Sequence, residues 1–142
     1  MKLIVKAPKH TNSKFGHNLK ATPKSRQLLA QLETETVQHI QSRTRAGKDS
    51  NLKPFKGYSK RSKSTGRSVD LSSTGTLLNS LKCTTTNDTI SIYPTKHADI
   101  GLAHQTGTKH LPQRKWIGLD KPYAKTFVTK LMKISLTLIR GK

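Results

Sequence analysis

Histidine is both the side chain that changes charge near neutral pH and a common metal ligand, so His97, His104 and His110 are the first residues to weigh. Seven residues separate His97 from His104, a spacing that would put both on one face of a helix. No third ligand at a workable spacing accompanies them, whereas structural zinc takes four Cys or His ligands. The single cysteine, Cys83, leaves no Cys-based zinc site and excludes an intramolecular disulfide. Asp99, His104 and a serine can be joined on paper into a triad, yet the chain has no G-x-S-x-G nucleophile turn. Carboxylates are scarce: there are 7 Asp and Glu in 142 residues, and only Glu33 and Glu35 stand close together. Two positions apart on a helix, they point to different faces and read as solvated charges balancing nearby lysines. The residues therefore point to no enzyme, no cofactor and no metal site, with His104 beside Gln105 expected in a hydrogen-bonded structural role.

The chemistry that the chain does carry in quantity is cationic. It has 27 Lys and Arg against 7 acids, a formal net charge of +20 and a pI near 10.5. That balance invites nucleic acid or acidic protein neighbours and makes a free monomer repel itself. The densest stretch is a basic arm at 43–68, where nine Lys or Arg face one acid, Asp49. It has too little apolar surface to offset the roughly 1–2 kcal/mol per residue that ordering a backbone costs. Something beyond the arm is expected to hold it. Phe55 and Tyr58 sit among Lys53, Lys56, Lys60, Arg61 and Lys63. Such a strap can stack bases and neutralise phosphates, with Lys60, Arg61 and Lys63 facing DNA. The two aromatics can equally be anchors that plug pockets on a neighbouring subunit.

These side chains need a scaffold, and local signals outline one. Lys2 to Ala7 reads as a short strand closed by Pro8. A helix follows from Thr22 as N-cap and Pro23, with Leu28, Leu29, Leu32, Val37 and Ile40 as its apolar stripe and Gly47 at its end. Thr76 to Leu81 reads as a short helix or turn. Leu81–Thr85 and Thr89–Tyr93 make a hairpin in which Leu81, Cys83, Ile90 and Ile92 share the buried face. Ala98–Ala103 is expected as one helical turn and Gly107–Pro112 as a loop. The last helix has Leu119 as a staple, Asp120 as N-cap and Pro122 in the first turn. Its apolar residues, from Tyr123 and Phe127 to Met132, Leu138 and Ile139, cover about 180°, wider than the ~100° that one core needs. The expected fold is α+β: a small antiparallel sheet packed by a long N-terminal-half helix and a C-terminal helix, in a single domain 1–142 with the arm inside it. No window approaches a membrane span, and the chain is expected to be soluble and made in a reducing, intracellular compartment.

Four motifs in order resemble a family. Pro54-Phe55-Lys56-Gly57-Tyr58-Ser59-Lys60 and then Val69-Asp70-Leu71-Ser72-Ser73-Thr74-Gly75, running on to Leu81, are similar to the F-x-x-Y-S and V-D-L-x-x-T-G stretches of small tailed-phage morphogenesis proteins. Ala98-Asp99-Ile100-Gly101-Leu102-Ala103-His104-Gln105-Thr106-Gly107 and Leu111-Pro112-Gln113-Arg114-Lys115-Trp116-Ile117-Gly118-Leu119 resemble their A-x-x-H-Q-x-G and P-x-R-x-W/F-L-G-L signature. The departures are Leu77-Leu78 where a Met is common, Ile117 for Leu, and an unusually basic arm. The resemblance implies a tail-completion, terminator or neck connector protein, part of the virion though made in the host cytoplasm. It implies a ring, with six copies expected, at the head–tail junction around the DNA channel. Its neighbours would be tail-tube, terminator or head-connector proteins, with double-stranded DNA passing non-specifically. Phe55, Tyr58, Arg114, Trp116, Met132 and Ile139 are the expected subunit contacts, Trp116 being equally readable as a core centrepiece. The alternative from composition is a basic nucleic-acid-binding module, ribosome-associated or similar.

Overall fold

A computed structural model of the chain describes residues 3–6, 22–57, 69–71, 73–86 and 89–140, with backbone only at 3–6 and 138–140. The order of elements is β1 (Leu3–Lys6), α1 (Pro23–Arg45), α2 (Thr76–Asn79), β2 (Leu81–Thr85), β3 (Thr89–Pro94), α3 (Ala98–Thr106) and α4 (Lys121–Arg140). This is the expected α+β arrangement. The three strands form one antiparallel sheet in the order β1-β3-β2, and α1 packs against both β2 and α4.

Local chemistry starts and stops the long helices. At the head of α1 the Ser25 amide donates to Thr22 Oγ1 at 3.1 Å and the Thr22 amide to Ser25 Oγ at 3.2 Å, a reciprocal cap followed by Pro23, where a missing N–H costs nothing. At its foot Gly47 takes φ +72°, the Gly47 amide donates to Thr44 O and the Lys48 amide to Arg43 O, a Schellman ending that only a residue free to enter the left-handed region makes without strain. Asp120 caps α4: its Oδ1 accepts the Tyr123 amide at 3.0 Å, with Pro122 in the first turn.

Alternation sets the hairpin. Cys83 lies opposite Ile92 and Thr85 opposite Ile90, and Leu81, Cys83, Ile90 and Ile92 are all buried. They meet Leu29, Leu32 and Ile40 of α1, Leu77 and Leu78 of α2, Phe127 and Ile134 of α4, and Trp116 and Ile117 between α3 and α4. Burial together with the charge of Glu33 pushes the Cys83 thiol up to about 12, so it behaves as a small core hydrophobe.

Two boundaries differ from expectation. α3 runs on to Thr106, because the stop is supplied by Gly107 at φ +77° rather than at Ala103. The arm expected at 43–68 is shorter at its front. Arg43 and Arg45 belong to α1, and residues 46–57 close into a loop: Asp49 Oδ1 accepts the amides of Asn51 and Lys53, the Phe55 amide donates to Gly47 O, and the Ser50 amide to Lys115 O. The one acid of the arm thus organises that loop. Tyr58, Lys60, Arg61 and Lys63 lie outside the described residues.

Candidate functional site at the root of the basic arm

Arg114 occupies the centre of the region where the four motifs meet, and it is 2% exposed. Its Nε and Nη2 donate to Lys56 O at 3.1 and 3.0 Å, and Nη2 also to Gly57 O at 3.2 Å. Its Nη1 faces His104 Nδ1 at 3.2 Å, and its amide donates to His104 O at 2.6 Å. A guanidinium has donors only, so His104 must accept through Nδ1 and carry its proton on Nε2. Burial, helped by the Arg114 charge, holds the His104 pKa below the usual value, which keeps that acceptor available.

Gln105, the next residue, clamps the same segment with both ends of its amide. Its Nε2 donates to Ile117 O at 3.2 Å and its Oε1 accepts the Ile117 amide at 3.1 Å. The expected structural role for His104 beside Gln105 is therefore filled by four bonds to the 114–117 strip, two from each residue. Trp116 completes it. The ring is fully buried, and its Nε1 donates to Gly101 O at 2.9 Å. A Cβ on Gly101 would stand 3.0 Å from Trp116 Cζ2 and 3.2 Å from Leu77 Cδ1, so the glycine is what lets α3 approach the indole. At Gly107 the positive φ is joined by a Cβ position 3.0 Å from the Gln113 backbone nitrogen.

The placement of Arg114 and Trp116 corrects their assignment as subunit contacts. Neither side chain leaves surface for a neighbour, and both hold their own chain together. Arg114 binds carbonyl oxygens of Lys56 and Gly57. It pins Lys56 and Gly57, the residues that precede 58–68 in the chain. Phe55 is half-buried against the core at that same root. At the far root Val69 and Leu71 are buried. The basic segment is thus attached at both ends to the core.

A second buried arginine escapes the sequence reading. Arg43 Nη1 donates to Gly118 O at 2.8 Å and lies 3.4 Å from Asp120 Oδ2, while Nη2 donates to Trp116 O. Asp120 also bonds His39, whose ring stacks on Tyr123 at 3.9 Å, and the Tyr123 hydroxyl lies 3.2 Å from Thr36 Oγ1. Burial pushes the Asp120 carboxyl upward, but His39, the Tyr123 amide and Arg43 outweigh it and hold it below the ordinary range. A signal for Arg43 is present in the sequence: Leu29, Leu32, Thr36, Ile40 and Arg43 recur at three- and four-residue steps, so Arg43 continues the buried stripe of α1. Charge density alone draws it into the arm.

Met132 is 46% exposed on α4, as an interface residue requires in a single chain; the side chain of Ile139 lies outside the described residues. Among the described residues no group of three or more His, Cys, Asp or Glu is placed to hold a metal ion. No described helix is long and apolar enough to cross a membrane. Comparison with protein-family models, with curated proteins and with solved structures finds no match to this chain.

Proposed function

We propose that this chain is a structural subunit of a phage-like particle, assembling into a ring at the head–tail junction as a tail-completion, terminator or neck connector protein. The observation that carries the reading is the convergence of its four motifs. Lys56 and Gly57 of the first are held by Arg114 of the fourth, Arg114 is met by His104 of the third, and Leu77 of the second lies against Gly101 and Trp116. Residues from all four of the motifs that carry the resemblance thus meet in one bonded and packed unit. A ring would cover the apolar side of α4 that the single chain leaves bare, and a cationic lumen suits passing duplex DNA.

The test is the mass and shape of the purified full-length protein. Closed rings with a central channel, seen by negative-stain microscopy and sedimentation, are the expected result. Duplex DNA should bind weakly and without sequence preference. Replacing Lys60, Arg61 and Lys63 with Ser should reduce the log–log salt slope by about 0.9 for each phosphate that these side chains neutralise in the wild type. A monomer that binds one defined RNA tightly and resists salt would overturn the ring in favour of a nucleic-acid-binding module.

A further inference from the structure

Two apolar patches on the described surface stay uncovered, and they are unlike. On α4, Val128, Met132 and Leu136 are 50%, 46% and 51% exposed. At about 100° per residue they fall in one narrow stripe, and Lys121 and Lys125, both exposed, continue it toward the start of the helix. On α3, Ile100 and Leu102 are 46% and 44% exposed, and the same geometry places Asp99 between them around the axis, on the side away from buried Gly101. One patch is apolar with lysines, the other apolar with an acid.

Asp99 is also set apart from the other described acids. Glu33 accepts the Thr85 amide, Glu35 pairs with Lys130, Asp49 accepts two amides of its own loop, Asp120 is bonded by His39, Arg43 and the Tyr123 amide, and Asp70 is partnered as well. Asp99 is exposed and joins no hydrogen bond or ion pair among the described residues. In a chain of net charge +20, this leaves a carboxylate free for a partner and sets it between two bare apolar side chains.

We infer that the α4 stripe of one copy seats on the α3 patch of the next, with Lys125 facing Asp99. Two copies joined through their α4 stripes would bring no acid to Lys121 and Lys125, whereas the unlike pair matches apolar to apolar and cation to anion. A contact between unlike patches is heterologous, the kind that builds a ring when the rotation between copies closes and a filament when it does not. The inference rests on the ring reading and names the surfaces that build it.

Sedimentation velocity on full-length variants tests it by charge exchange. Asp99→Lys, and separately Lys125→Asp, should each raise the concentration for half-assembly about tenfold or more, and the two together should return it to within about threefold of wild type. Unchanged melting curves by circular dichroism separate this from misfolding, and Asp99→Asn, which keeps size and removes charge, should fall between wild type and Asp99→Lys. If the wild type assembles and Asp99→Lys assembles equally well, or the exchanged pair is no better than its worse single variant, the contact is wrong while the ring stands. A wild type that stays monomeric at its highest soluble concentration overturns the ring and this contact together.

Discussion

α4 has two apolar sides with opposite fates. On one, Phe127 and Ile134 are 1% and 5% exposed, with Tyr123 and Leu131 packed beside them against the core. On the other, Val128, Met132 and Leu136 each leave about half of their surface in solvent. Both sides carry a run of large apolar residues, and only the second continues into lysines, Lys121 and Lys125. The difference is that α1 lies against the first, tied on by the Asp120 cluster at one end and the Lys130–Glu35 pair along the rim, and no described element covers the second. An apolar stripe states that cover is needed; it does not state whether the same chain supplies it.

Substitutions on the two sides should therefore part company. The largest effect is expected from Phe127→Ala, which removes a fully enclosed ring and should cost about 3–5 kcal/mol in urea denaturation. A drop in stability below about 1 kcal/mol, too small for an enclosed aromatic, would erase the distinction between the sides. Next comes Asp120→Ala at the end of the covered side. It leaves the buried Arg43 guanidinium without its carboxylate and removes the cap of α4, a destabilisation of about 3 kcal/mol measured the same way.

Acid should act on the interior ties in a graded way. Asp120 has a folded pKa below the unfolded 3.8, so its stabilisation is full above that value and disappears as pH falls through the folded pKa. His104 is also depressed, from 6.5. Below 6.5 the unfolded chain takes up a proton that the folded His104 resists, so stability already declines as pH drops from 6.5 toward the folded value. Thermal melts across this range should show both stages, and His104→Asn should flatten the upper one while leaving the lower. A melt of His104→Asn that keeps the upper slope would show that the proton goes elsewhere.

The smallest effect on stability is expected where the effect on assembly is clearest. Met132→Glu, on the bare side, should shift unfolding by no more than about 0.5 kcal/mol, the usual range for surface positions. It should also disrupt association read by sedimentation. If Met132→Glu assembles as wild type does, the second side of α4 faces solvent in the assembled protein too.

The amino-acid order by itself determined the elements whose signals are local. Thr22-Pro23 and Asp120 with Pro122 mark helix starts, because a cap needs only a side-chain oxygen and a few nearby amides. The hairpin face of Leu81, Cys83, Ile90 and Ile92 followed from two-residue alternation. His104 and Gln105 were legible as a structural pair, but their partners Arg114 and Ile117 lie ten and twelve residues on. Tertiary structure decided the fate of the two arginines. Arg43 reads as one cation among nine in a basic run, and its bonds to Gly118 and Trp116 span more than seventy residues. Arg114 reads as a contact for a neighbour until the chain folds Lys56 and Gly57 onto it. Composition counts charges without regard to where the backbone carbonyls will be, and a guanidinium is buried only when distant segments bring enough acceptors to one place.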